Sequence, residues 1–91
     1  MRVRAVRRGG LAGVALRGEA ETTELAPPTA AAAEAALRSL PAGKSAGAPS
    51  HPDGFLYELW FDGRSVTLDE SEISDELRPL IDLAMSRAHL G

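Results

Sequence analysis

The segment Gly54 to Glu70, GFLYELWFDGRSVTLDE, constrains the fold of this chain more than any other stretch. Phe55, Tyr57, Leu59 and Phe61 occupy alternate positions, so in a strand all four side chains point to one side. They include three of the four aromatic residues in the chain, and that side is expected to be core. Asp62-Gly63 follows at once. Asp-Gly is a strong signal for a two-residue hairpin loop, because both central residues of a type I′ turn need positive φ. A loop there sets the register: Leu59 faces Val66, Tyr57 faces Leu68 and Phe61 faces Arg64. A slip of one residue would carry Val66 and Leu68 to the wrong face.

A second hairpin is expected upstream. Val3 and Ala5 alternate with arginines, Gly9-Gly10 can form a two-residue loop, and Val14 and Leu16 follow at spacing two. In that register Val3 faces Leu16 and Ala5 faces Val14. The opposite face then carries Arg2, Arg4, Arg8 and Arg17, with Val6 and Leu11. Leu11 stands out as a large apolar residue one step past the turn with no core pairing. Glu19 to Ala26 reads either as a continuing strand or as an acidic connector.

Pro27-Pro28 before an alanine-rich run predicts a helix ending near Leu40-Pro41, with Ala33, Leu37 and Leu40 buried and Ala30 and Ala36 at the margins. Residues 41–53 are rich in Pro, Gly, Ala and Ser without apolar period, and are expected to be a flexible loop. Near the end, Ser74 is placed to cap a helix whose first turn holds Asp75 and Glu76. Pro79 allows that helix to restart after one tight turn. Its stripe would be Leu77, Leu80, Ile81, Ala84, Met85 and Ala88. The predicted class is α+β: two β-hairpins forming a four-stranded antiparallel sheet, packed on one face by two helices, with residues 1–91 as a single domain.

A 91-residue chain buries a thin core. It has no cysteine, which removes disulfides, thiolate metal sites and thiol nucleophiles from consideration. Nothing resembles a signal peptide or a membrane span, so a cytoplasmic protein is expected. The net charge of −3 is unevenly spread: Met1 to Gly18 holds five arginines and no acid, whereas His51 to Glu76 holds eight acids and one arginine. Such polarity either steers a charged partner or reflects two ends that meet in the fold.

Little points to catalysis. His51 and His89 have no nucleophile or metal partner at a recognisable spacing, and His51-Pro52-Asp53-Gly54 reads as a turn entering a strand. The acids from Asp69 to Glu76 solvate a loop and cap a helix. Neither a cofactor nor a resident metal is implied. The Arg2, Arg4, Arg8 and Arg17 stripe suggests a nucleic-acid or anionic-partner binding module as the alternative function, although no aromatic residue lies between those arginines to stack a base. Trp60 points away from the aromatic core, either packing under the loop or serving as a contact for a partner.

Three patterns in order, RRGGLAG near the start, DGFLYELWFDG in the middle and ELRPLIDL near the end, resemble the emfourin family. Its members are protein inhibitors of protealysin and related thermolysin-type zinc metallopeptidases, encoded beside the bacterial peptidases. The resemblance covers the chain apart from the alanine-rich helix and the following loop. It implies an intracellular inhibitor, without activity of its own, that binds a thermolysin-type peptidase from an adjacent gene one to one.

The resemblance also gives the first turn a meaning. Thermolysin-type peptidases cleave before a large apolar residue and accept glycine on the other side, and Gly9-Gly10-Leu11-Ala12 has that order. A tight hairpin would present Leu11 to the cleft while holding the Gly10-Leu11 peptide away from productive geometry. Equally, Gly9-Gly10 can be no more than a good turn, with Leu11 covering an edge. Two other contacts stay open: His51 or Asp53 reaching the metal, or the acidic Asp69 to Glu76 segment blocking the rim. Trp60, Arg4 and Arg8 are secondary contact candidates.

Overall fold

The computed structural model describes residues 1–9, 15–41 and 54–90. Five strands and two helices occur in the order β1 (Arg2–Gly9), β2 (Leu16–Glu21), α1 (Pro27–Ser39), β3 (Phe55–Phe61), β4 (Arg64–Asp69), α2 (Arg78–Ser86) and β5 (His89–Leu90). They form one antiparallel sheet of order β4-β3-β1-β2-β5.

The β3–β4 hairpin has the register expected from its turn. Tyr57 lies opposite Leu68, Leu59 opposite Val66 and Phe61 opposite Arg64. Asp62 and Gly63 both take positive φ, 49° and 70°, as a type I′ turn demands. The inward face is less uniformly buried than its pattern suggests. Leu59 and Phe61 are buried, whereas Phe55 and Tyr57 are half-buried, and the Arg7 guanidinium lies 4.5 Å from the Phe55 ring centroid.

The first hairpin differs from expectation. Val3 pairs with Ala20 in place of Leu16, Ala5 pairs with Gly18 in place of Val14, and the last β1–β2 pair is Arg7 with Leu16. The connection is therefore longer than Gly9-Gly10. Gly9, with φ of 104°, pairs across to Phe55 of β3 instead. A shift of four residues keeps every side chain on its face, so alternation alone does not detect it. Charge explains the choice. The expected register sets Arg2 against Arg17, whereas the observed one sets Arg2 against Glu21 and Arg4 against Glu19.

After β2 the chain makes a 3₁₀ turn over Thr22–Glu24, resolving the undecided Glu19 to Ala26 stretch into strand and then turn. In α1, Ala33 and Leu37 are fully buried and the proline pair occupies the first turn, as predicted. Burying Leu37 contributes roughly 2 kcal/mol over leaving it exposed.

At the other end, Asp69 caps a second 3₁₀ turn, Glu70–Glu72, by accepting from the Ser71 amide at 2.8 Å. The Ser74 side chain does not cap α2. The Ser74 main-chain carbonyl accepts from Leu77 and Arg78 in the tight turn before Pro79, and the hydroxyl is buried with no hydrogen-bond partner among the described residues. Leu80, Ile81 and Ala84 face the core. The helix stops at Ser86, so Ala88 lies beyond it, and His89–Leu90 add a fifth strand beside Leu16 and Arg17. Two residues carry no readable period, which is why four strands were expected.

Both helices contribute to one core with Val3, Ala5, Ala20, Leu59, Val66 and Leu68, all on one sheet face. Gly18 makes this possible on β2: a Cβ there would collide with the Ala84 carbonyl oxygen of α2. At the joint, Glu24 accepts from the Arg87 guanidinium, and Thr22 donates to Glu34 of α1. The Arg87 hydrogen bond, helped by the Glu21 amide, lowers the Glu24 pKa from 4.5 to about 2.

Two outcomes follow. Gly18→Ala is expected to destabilise the protein by about 2 kcal/mol or more in urea denaturation, through overpacking. Gly63→Ala, with open space around its Cβ and only positive φ to strain it, should cost no more than ~2 kcal/mol. For pH, a depressed carboxylate stabilises above its unfolded value and loses that contribution as pH falls through the folded one. The Glu24 contribution should thus disappear between pH 4.5 and about 2, and Glu24→Gln should flatten that part of the stability profile.

Candidate functional site

The candidate contact residues fall at the two ends of the sheet. At one end, Arg8 lies opposite Leu56, which lies opposite Asp69, and Arg7 lies opposite Leu16, which lies opposite Leu90. Gly9, Leu16 and Gly54 belong to this end. They flank the two turn segments singled out from sequence, and the acidic stretch also begins here at Asp69. The chain passes so close that a Cβ on Gly9 would lie 2.5 Å from the Gly54 carbonyl oxygen. Glycine at position 9 is therefore required by packing as well as by its positive φ.

Of the expected contact residues, Gly9 and Arg8 sit at this end. Gly10, Leu11, Ala12, His51 and Asp53, together with residues 42–50 of the expected flexible loop, lie outside the described residues. Trp60 and Arg4 sit opposite each other toward the far end. Along β1, Arg4 is four residues from Arg8, or roughly 13 Å at the usual strand rise. The structure thus separates Trp60 and Arg4 from the first-hairpin end.

The far end carries a shallow groove of about 450 Å³, lined by Trp60, Arg2, Arg4 and Glu19 and, next to the β3–β4 turn, by Phe61 and Arg64. Trp60 is half-buried. The Arg64 guanidinium lies 5.2 Å from the Phe61 ring centroid.

Sequence reasoning placed the arginine stripe on the right face but missed its partners. Arg2 pairs with Glu21 at 3.9 Å, Arg4 with Glu19 at 3.4 Å and Arg8 with Glu58 at 2.6 Å. The signal was available, since Glu19 and Glu21 repeat the spacing of Arg2 and Arg4. Each stripe arginine so paired is partly neutralised, which weakens the face as a phosphate ligand. Val6, on the same face, is buried at 3%. Its cross-strand neighbours are Arg17 and Glu58, whose long stems suit shielding a small apolar residue.

Among the described residues, no group of three or more His, Cys, Asp or Glu side chains is arranged to hold a metal ion. Asp69 is occupied as a cap, accepting from both the amide and the hydroxyl of Ser71. No described helix is long and apolar enough to cross a membrane.

The Emfourin family model matches residues 6–85. The chain belongs to the Emfourin family. No curated protein and no solved structure matches it. The Emfourin match runs from Val6 in β1 to Met85 in α2, so it takes in Arg8, Gly9 to Ala12, His51, Asp53 and Trp60 and leaves out Arg4 and β5. Membership suggests a metallopeptidase inhibitor, in keeping with a protein that is not an enzyme.

In the ion pairs of the arginine face the arginines are exposed and only Glu58 among their partners is half-buried, so solvent screens the pairs and each contributes little. In a double-mutant cycle, Arg8→Ala and Glu58→Ala should show a coupling of no more than about 1 kcal/mol by denaturant titration.

Proposed function

We propose that this protein inhibits a thermolysin- or protealysin-type zinc metallopeptidase by stoichiometric occlusion of the active-site cleft, with Gly9-Gly10-Leu11-Ala12 as the entering segment. The observation that carries the reading is the Emfourin match over residues 6–85, which includes that segment. The target is a peptidase of the same cell, encoded by an adjacent gene, and the complex forms in the cytoplasm without a cofactor.

The fold supports this reading through the way the segment is held. β1 is bonded on both sides, to β2 and to β3, so its carboxyl end has little freedom. Arg7 against Leu16 closes the first hairpin, and Gly9 against Phe55 anchors the chain just before Gly10. A segment fixed at its feet loses little conformational entropy on docking, which favours affinity. Leu11 supplies the large apolar side chain for the pocket beyond the scissile bond. Catalysis requires the peptide to approach the transition-state geometry, and strands that resist that distortion keep the inhibitor a poor substrate.

Titration of the pure protein into such a peptidase from its own genome should abolish hydrolysis of a small peptide at a one-to-one ratio. Unchanged rates at stoichiometric excess would refute the reading. Leu11→Asp should weaken inhibition by about 2 kcal/mol or more, with the circular dichroism spectrum unchanged. Equal potency of that variant would move the contact to the His51 to Gly54 turn or to the Asp69 to Glu76 rim.

A further inference from the structure

At the end of the sheet that holds Gly9 and Gly54, the side facing the helices becomes progressively exposed. Leu68, Tyr57, Arg7, Leu16 and Leu90 are cross-strand neighbours in a single row over all five strands. Paired residues share a face, so this row lies on the side of Ala5 and Leu59. Burial falls along it: Leu68 is buried, Tyr57, Arg7 and Leu16 are half-buried, and Leu90 is 70% exposed. Among the described residues no other large apolar side chain is so open. Phe55, on the same face beside Arg7, is half-buried as well. Tyr57 packs against the core, but Leu16, Phe55 and Leu90 are no part of it.

The chemistry of the row is that of a contact surface. Tyrosine and arginine are the residues that most often anchor interfaces, and the leucines add apolar area around them. The Arg7 guanidinium lies 4.5 Å from the Phe55 ring centroid and has no ion pair among the described residues. Stacking occupies the face of a guanidinium and leaves its N–H edges free to bond. The other side of the sheet is already engaged at this end, where Arg8 pairs with Glu58 and Asp69 caps the turn after β4.

We propose that this row is a second contact with the target peptidase, seated against an apolar wall beside the cleft. The proposal rests on the inhibitor reading. Its occupant follows from position. Gly9, where the entering segment starts, pairs with Phe55, and Leu16 begins β2 just after that segment, so whatever receives Leu11 meets this face next. Size points the same way. A specific complex buries roughly 800 Å² on each partner, more than Gly9 to Ala12 can offer, so the contact has to extend onto the adjoining sheet. Leu90 lies beyond the residues matched by the Emfourin model, so family membership does not assign it.

Inhibition of the peptidase, followed with a small peptide substrate, tests the row. Leu90→Asp, outside the core, should weaken inhibition by about tenfold, mainly through faster dissociation, with the circular dichroism spectrum and urea midpoint unchanged. Arg7→Ala should do the same. Combining Leu90→Asp with Leu11→Asp should multiply the two losses, as expected of separate contacts. If a variant fails to fold, amide hydrogen exchange of the wild-type chain decides the matter: His89 and Leu90 should become protected in the complex.

Wild-type potency in either folded variant, beside a weakened Leu11→Asp, would overturn this proposal and leave the inhibitor reading standing. Unchanged exchange at His89 and Leu90 in a complex that inhibits would do so too. A wild type that leaves the peptidase at full rate would overturn both. A free chain that is dimeric in sedimentation and made monomeric by Leu90→Asp would also overturn the proposal, assigning the face to a second copy.

Discussion

The pairing of β1 with β3 is the contact on which the rest of the molecule depends. Each hairpin alone would be marginal in water, because two strands cannot bury a face. Setting Ala5 against Leu59 brings the two hairpins edge to edge and turns four short strands into one surface broad enough for two helices. The small residues of β1 and β2 shape that surface. Val3, Ala5, Gly18 and Ala20 leave a shallow strip, and α2 settles there so closely that its Ala84 carbonyl occupies the space a side chain on Gly18 would need. Bulk is supplied instead by Leu59, Phe61, Val66 and Leu68 on the neighbouring pair.

How much of this was legible in the sequence depended on whether local chemistry or tertiary contact decided each element. The Gly54 to Glu70 hairpin was readable because alternation gave the faces and Asp62-Gly63 removed the freedom in register. The first hairpin had alternation but a misleading turn. Gly9-Gly10 looks like a two-residue loop, yet Gly9 is needed for a close approach to Gly54, a contact between residues 45 positions apart that no local pattern contains. Parity kept the faces right and hid the shift of four residues. The last helix was legible in its stripe but not in its stop, since His89 and Leu90 become a strand only through Leu16 and Arg17. Of the candidate site, the motif at Gly9 to Ala12 was recognisable from its resemblance, whereas the separation of Trp60 and Arg4 from Arg8 and Gly9 depended on the pairing order.

Much of the basic segment's charge is answered within the fold. Arg2 and Arg4 meet Glu21 and Glu19 on the next strand, so part of the basic segment is answered by acids outside the acidic segment, and among the described residues Arg8 is the one that reaches into it, through Glu58. Exposed pairs of this kind add little stability, but they do fix which register β1 and β2 adopt, because the alternative opposes two arginines. The joint between the helices combines an exposed pair, Arg87 with Glu24, and a partly buried bond, Thr22 to Glu34. Arg87 holds Glu24, and Thr22 donates to Glu34, so the end of α2 and the body of α1 are both tied to the turn after β2.

Under the proposed inhibitor function, these constraints would bear on how the protein survives its target. If the peptidase does cleave between Gly10 and Leu11, the two new ends do not become independent molecules, because β1 remains bonded to β3 as well as to β2. The entropy that normally drives products apart is then largely withheld, as both ends stay within a short tether of one another. The nicked chain would continue to fill the cleft, and the reverse reaction would compete with release. Inhibition on this scheme would depend on the sheet around Ala5 and Leu59 staying intact as well as on resistance to the chemistry at Gly10-Leu11, so substitutions that loosen that pairing should convert inhibitor into substrate even when every residue of the entering segment is unchanged.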